Sequence, residues 1–226
     1  MRKILPIIIL SAALFGCPSD TPTQDLPLPR LAASPQSTPS PAKGNTPALE
    51  GRIKSDREKK LIDSIDDHLG SFVSNGHSVD FESMPDGYGM GYSKQYAPFD
   101  RRAWGTVFFY HAGQANLKDG IGSREFKDMY AANTSPEYFA AGYKDVKNRK
   151  NADATYNGIP FRRHQFTGTI KSSDRKTSSV LFLTIYRGTF LKVRFDWDID
   201  YREGARDVEN FMNALTANLK KNGAKK

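Results

Sequence analysis

Eight of the chain's 13 prolines crowd into residues 18–50, and this clustering decides where a fold can form. Proline has no amide hydrogen and holds φ near −65°, so a segment this rich in it sustains neither a helix interior nor an inner strand. The few leucines between the prolines show neither a helical nor a strand period. No core can therefore offset the entropy of ordering the segment. It reads as a spacer, with a ligand for a proline-binding domain as the alternative. As a flexible coil its 33 residues would span about 30 Å, and as polyproline II about 100 Å. Folding is thereby confined to 51–226, a length that suits one globular domain.

Arg2 and Lys3 give the chain a positive start, and Ile4 to Phe15 form an apolar run broken by Pro6 and Ser11. About a dozen apolar residues suit the core of a signal peptide. A bilayer-spanning helix needs roughly 20. Residues 1–16 therefore read as a targeting segment. The run ends in Leu14-Phe15-Gly16-Cys17, which holds the single cysteine. This ending resembles the lipobox of bacterial lipoproteins, in which a small residue precedes the cysteine. The resemblance implies that the Cys17 thiolate takes a diacylglycerol, that cleavage follows Gly16, and that the new amino group is acylated. The acyl chains would hold the protein on a membrane face, since each buried methylene contributes about 0.8 kcal/mol and two or more chains hold firmly. Pro18 stands where an aspartate would favour inner-membrane retention. The resemblance therefore implies the outer membrane, with the domain on its periplasmic face or at the surface. An ordinary signal peptide with an incidental cysteine is the alternative, but a lone thiol suits an oxidising compartment poorly. One cysteine at this place leaves none in 51–226 for a disulfide, a thiolate zinc site or thiol catalysis.

Within 51–226, Ser55-Asp56-Arg57-Glu58 has the form of a capping box. Leu61, Ile62, Ile65, Leu69 and Phe72 follow at helical spacing, predicting a helix over 56–73 that stops at Asn75-Gly76. Val79 and Phe81 alternate with polar residues, Pro85-Asp86-Gly87 turns the chain, and Met90 to Tyr96 returns as a strand. WGTVFFY, Trp104 to Tyr110, is a firmer strand. Residues 122–147 read as helix broken at Thr134-Ser135-Pro136. Three strands follow: Phe161 to Ile170, Val180 to Tyr186 and, after an Arg187-Gly188 turn, Leu191 to Trp197. In the last, Leu191, Val193, Phe195 and Trp197 point one way while Lys192, Arg194 and Asp196 point the other. That alternation predicts one dry face and one wet or partly covered face. Ala205, Val208, Phe211, Met212, Leu215 and Leu219 mark a final helix that packs on the dry face.

The order predicts an α+β domain: an antiparallel sheet with a C-terminal three-strand meander, packed by helices including the C-terminal one. The pattern is similar to the PsbP/Mog1-like fold. It also resembles bacterial lipoproteins whose middle carries VFFYHAG- and KDGIG-type stretches, here Val107 to Gly113 and Lys118 to Gly122. PsbP-like domains commonly bind partners, so the likeness implies interaction work.

Candidate chemistry is sparse. Asp196, Asp198 and Asp200 have the spacing of the first three ligands of a calcium loop. Tyr201 and Asp207 stand where that loop needs glycine and a bidentate glutamate, so the residues read as a solvated strand end with Asp200 capping the last helix. His68, His77, His111 and His164 form no close pair of metal-binding spacing. His111, at a strand end, is the best acid–base candidate. No G-x-S-x-G motif occurs. GYGMGY, 87–92, lacks the flanks of a phosphate loop. Its Tyr88 and Tyr92, with Tyr96, read as core or as an aromatic binding surface. Arg162, Arg163 and His164, with Lys171, Arg175 and Lys176, suggest a basic hairpin for lipid phosphate or cell-wall polymer.

The net charge of +8 falls by two without Arg2 and Lys3, and the remaining basic residues are scattered among acidic neighbours, as on a solvated surface. No cofactor, metal or nucleic-acid partner is expected. The sequence thus predicts a membrane-anchored envelope lipoprotein acting as a binding or scaffold module without catalysis. Its expected partners are membrane lipid, through acylated Cys17, and an envelope protein or cell-wall polymer. The alternatives are an envelope hydrolase with a site near His111 and a cell-wall or anionic-lipid binding module.

Overall fold

Thr189–Asp198 forms the strand around which the structure, a computed structural model describing residues 53–223, is organised. The targeting segment, Cys17 and the 18–50 linker lie outside the described residues. The elements are α1 (Asp56–Asp63), β1 (His68–Leu69), β2 (Phe72–Asp80), β3 (Tyr92–Ala97), β4 (Ala103–Tyr110), α2 (Arg124–Asn133), α3 (Pro136–Gly142), β5 (Tyr143–Tyr156), β6 (Ile159–Ile170), β7 (Lys176–Tyr186), β8 (Thr189–Asp198) and α4 (Gly204–Gly223). The strands make one antiparallel sheet in the order β1-β2-β3-β4-β8-β7-β6-β5. The domain is therefore α+β. The three expected C-terminal strands form the meander, and β5 extends it by one more.

The alternation of β8 assigns its faces. Leu191, Val193, Phe195 and Trp197 join Val208, Phe211, Met212, Leu215 and Leu219 of α4, and Leu61 and Ile62 of α1, in one core. Phe211 meets Phe72, Tyr96 and Phe195 at centroid distances of 5.3, 5.5 and 5.5 Å. On the opposite face Phe126, Met129 and Tyr130 of α2 pack on Phe108, Tyr110, Leu181, Leu183 and Phe190. That face is covered, and Lys192, Arg194 and Asp196 are buried beneath the covering.

Two expected helices are shorter than their apolar spacing suggests. The segment 56–73 stays helical only to Asp63. Leu69 and Phe72 then pair across a two-residue turn made by Gly70, at φ +64°, and Ser71. Positions three and four apart suit a helical face, but across a tight turn they also suit a hairpin. The 122–147 helix ends at Gly142, and Tyr143 opens β5. This 14-residue edge strand exposes most of its side chains and bulges near Asp145 and Asn148, both at positive φ. A charged, bulged edge resists pairing with another chain, and it carries no apolar alternation to be read. The capping box does not form either. The Ser55 side chain makes no cap hydrogen bond, and Glu58 is buried.

Gly91 sits at φ +66° where β3 begins, and a Cβ there would run into the Phe109 carbonyl of β4. Gly70 shares the positive φ but has open space around it. Gly70→Ala should therefore cost only the left-handed conformation, about 1 kcal/mol. Gly91→Ala adds a main-chain collision and should cost roughly 3 kcal/mol or more. Urea denaturation of the two variants checks the difference, and equal costs would refute the close β3–β4 approach.

Candidate functional site

His111, where β4 ends, is buried and bonded on both ring nitrogens. Its Nδ1 accepts from the Gly113 N–H at 3.0 Å, so Nε2 carries the proton and faces Ser55 Oγ at 3.1 Å. Glu82 Oε1 lies 4.0 Å from the same Nε2. The two Glu82 oxygens accept from the Gly91 and Gly89 N–H groups at 2.7 and 3.1 Å. A hydrolase histidine holds its nucleophile at one nitrogen and its carboxylate at the other. Here serine and carboxylate share one nitrogen, and a backbone amide occupies the second. The arrangement ties Ser55 before α1, the β2–β3 loop and the end of β4 together.

The densest chemistry lies on the covered face of β8. Asp196 Oδ1 accepts from Tyr143 Oη at 2.5 Å and from Ser179 Oγ at 2.6 Å, and its Oδ2 is 3.3 Å from Arg194 Nε. The Arg194 guanidinium lies over the Tyr143 ring at 4.5 Å. Lys192 Nζ donates to Asn133 Oδ1 at 3.3 Å and sits 4.5 Å from the Phe108 ring centroid. Asp196 thus pairs with Arg194, while Lys192 has an amide oxygen and aromatic faces as its compensation. Tyr138 of α3 faces this charge. Burial pushes its hydroxyl up, but the charges of Lys192 and Arg194 and their hydrogen bonds outweigh that and leave it below the ordinary phenol value. Tyr110, buried in the same cluster, is pushed up by burial. A phenol between two cations releases a proton more readily than one in water, which is chemistry the sequence reading missed. The sequence placed Lys192 and Arg194 on a wet or partly covered face and Tyr138 and Tyr143 within the 122–147 helix.

His164 lies farther along this face, bonded to Asn151 Oδ1 at 2.5 Å through Nδ1 and to Arg149 Nε at 3.4 Å through Nε2. Burial, reinforced by the Arg149 charge, lowers its pKa to about 4.

The remaining sequence candidates do not gather into the expected surfaces. Tyr96 is fully buried and Tyr92 nearly so, both in the α4-side core, while Tyr88 is half-buried with its ring 5.4 Å from His111. The three tyrosines form no exposed aromatic face. The Arg162 guanidinium binds both Asp153 oxygens, at 2.7 and 3.1 Å. Arg163 points to the other face of β6, toward Glu209 at 3.6 Å. The Lys171–Arg175 turn lies at the far end of that strand, with Arg175 on Asp198 at 2.7 Å and over Trp104 at 4.6 Å. Of the strand-end aspartates, Asp200 alone is exposed. Asp196 is buried, Asp198 is paired, and Asp200 pairs with Arg102 at 2.7 Å, four residues before α4 begins. Among the described residues, no group of three or more histidine or acidic side chains is placed to hold a metal ion.

A shallow concavity of about 500 Å³ lies where α1 meets the β7–β8 turn, lined by Arg57, Lys60, Leu61 and Arg187. No sequence motif marks it, because its cations come from segments 130 residues apart.

No family model and no curated protein matches the chain. Among solved structures it is similar to the solution structure of cyanobacterial PsbP (CyanoP) from Synechocystis sp. PCC 6803, with a TM-score of 0.38 and 12% identity over 67% of this chain and 82% of that one. It is also similar to a point mutant of protein Mog1, with a TM-score of 0.29 and 10% identity over 69% of this chain and 87% of that one.

Asp196→Ala should cost about 3–5 kcal/mol, because it strands the Arg194 charge and two hydroxyls away from water. Adding Arg194→Leu should restore part of that loss in urea denaturation, whereas purely additive costs would contradict a coupled pair. His164 supplies a pH test. Its folded pKa lies below the unfolded value, so its contribution is complete above about pH 6.5 and is lost as pH falls toward 4. From pH 7 to 4.5 it should remove about 2 kcal/mol, and His164→Gln should shrink the acid-induced loss by that amount.

Proposed function

We propose that this protein is a lipid-anchored component of the bacterial cell envelope whose domain works by binding, as a scaffold or adaptor and without catalysing a reaction. The observation that carries the reading is the conjunction at residues 1–17. A basic start, an apolar run of signal-peptide length, Gly16 and the single cysteine Cys17 stand in that order, directly before a proline-rich spacer. On this reading Cys17 carries the acyl chains, residues 18–50 are the string, and the α+β domain is what the string presents. Pro18 favours the outer membrane. Among the described residues no helix is long and apolar enough to cross a bilayer.

The binding half of the proposal draws support from two features. The His111 cluster is bonded as a brace, with Ser55 and Glu82 on one nitrogen. The tip of the β3–β4 hairpin carries Phe99, the most exposed large apolar side chain among the described residues, and Ile199 after β8 is also exposed. An exposed aromatic of this kind is a side chain that interfaces use as an anchor. An envelope protein or cell-wall polymer is the partner this reading expects.

The test is detergent partition with mass spectrometry. The wild type should enter the detergent phase and carry a diacylglycerol mass on a mature chain beginning at Cys17. Cys17→Ser should stay in the aqueous phase or keep its leader. An intact, unmodified Cys17 thiol in the processed wild type would remove the proposal. Capture from crosslinked envelopes should recover partners with the wild type that Cys17→Ser fails to recover.

A further inference from the structure

We infer that Arg57, Lys60 and Arg187 form a cradle for the phosphate headgroups of an anionic bilayer, and that the domain docks on that bilayer by the end at which its chain enters. The inference deepens the anchored reading above and rests on it for the proximity of the membrane.

The cradle is built from two segments. Arg57 and Lys60 are three residues apart on α1, so they share a face, and Leu61 floors the concavity beside them. Arg187 is the first residue of the two-residue β7–β8 turn, at φ +54°, with Gly188 following at +73°. The Arg57 guanidinium reaches across and donates to the Gly188 carbonyl at 3.0 Å, while the Gly188 N–H donates to Asp119 at 2.8 Å. The turn is thereby fixed against the helix. A guanidinium has five N–H donors, and this bond takes one. Exposed Lys54 and Lys118 stand on the two neighbouring segments. Of the nearby carboxylates, Asp63 is paired with Lys59 at 2.7 Å and Asp119 is engaged by the Gly188 N–H. Exposed Asp56, buried Glu58 and Asp119, whose charge a neutral N–H leaves in place, stand against five cations.

Placement turns a basic groove into a membrane-facing one. The first described residue, Ile53, donates its N–H to Tyr88 Oη at 2.9 Å, which fixes the chain's entry at the β7–β8 turn end of the sheet. Strand β8 runs from Thr189 at this end to Asp198 at the other, a span of about 33 Å. Phe99 and Ile199 sit at the far end. A tether attached at the entry end keeps that end, on average, nearer the anchoring surface than the far end. Each basic side chain near an anionic bilayer gains roughly 1 kcal/mol, so three together shift the docked population on the order of 100-fold, and salt screens the effect.

The chain from Cys17 onward is coupled through that thiol to a maleimide lipid. The described core lies wholly within this chain, and the coupling supplies the tether whatever the cell does to Cys17. Amide hydrogen exchange is then compared on phosphatidylcholine vesicles and on vesicles with about 30% phosphatidylglycerol. Residues 54–61 and 187–189 should exchange several-fold more slowly on the anionic vesicles, with 98–102 unchanged and the protection lost at about 0.5 M salt. Lys60→Glu with Arg187→Glu, which leaves the Arg57 bond to Gly188 in place, should remove most of the difference while keeping the parent's urea midpoint. Equal exchange on both vesicles overturns the inference, as does protection at 98–102 instead. Protection by soluble polyphosphate but not by vesicles also overturns it and assigns the groove to a wall-type polymer. An unmodified Cys17 in cells would sink the anchored reading and leave this vesicle result standing, so the two failures are distinguishable.

Discussion

Strand β8 lies between β4 and β7 at the middle of the sheet, and its two faces meet different chemistry. One face gives four large apolar side chains to α4. The other gives Lys192, Arg194 and Asp196 to a space closed by α2 and α3. Burying charge costs several kcal/mol per ion unless partners surround it, so the second face is habitable only because Asn133, Tyr138, Tyr143 and Ser179 converge there. The same requirement fixes the register. A slip of one residue along β8 would aim Lys192 and Arg194 at Phe211 and strand Phe195 among polar groups. The buried ions and the apolar core therefore specify the same pairing from opposite sides.

The covering helices depend on that pairing in turn. Asn133 closes α2 and reaches both Lys192 Nζ and Tyr110 Oη, and Tyr143 follows α3 directly and bonds Asp196. The segment 124–143 is thus held to the charges beneath it at its middle, by Asn133, and at its end, by Tyr143. Phe126, Met129 and Phe139 fill the space around them. This polar attachment differs in kind from the seating of α4, which rests on aromatic and aliphatic packing.

Elements whose side chains alternate between two clear environments were legible in the sequence. The period-2 pattern of 191–197 and the helical spacing from Val208 to Leu219 each predicted an element, its face and its partner. Elements whose pattern is shared by two geometries, or absent, were not. Leu69 and Phe72 satisfy helical spacing and a two-residue hairpin equally, and only the glycine at 70, which takes φ +64° freely, favours the turn. β5 is exposed along most of its length, so water imposes no period on it. The polar cluster was hidden for a third reason. Alternating Lys, Arg and Asp suit a wet face until Tyr138 and Tyr143 are known to lie above them, and that knowledge is tertiary. Tyr92 and Tyr96 left two readings open, since aromatic residues on a glycine-rich strand suit either a surface or the core they occupy.

The entry of the chain shows how a long string can end in a fixed object. Three alternate residues at the start of the domain each bond a different part of the sheet's rim. Ile53 bonds Tyr88 in the β2–β3 loop, Ser55 bonds His111 at the end of β4, and Arg57 bonds the carbonyl of Gly188 between β7 and β8. Side chains and amides spaced in this way distribute a pull on the N-terminus over the sheet before it reaches α1, whose eight residues would resist little alone. The Ser55 hydroxyl meets His111 and makes no cap bond to α1. An uncapped helix start is a loss of about 1 kcal/mol, a cost that is reasonable where the chain must be gripped as it enters. His111 is then best understood as the fastening point of that grip, which accounts for its burial, its two occupied nitrogens and its place beside Glu82 without assigning it any reaction.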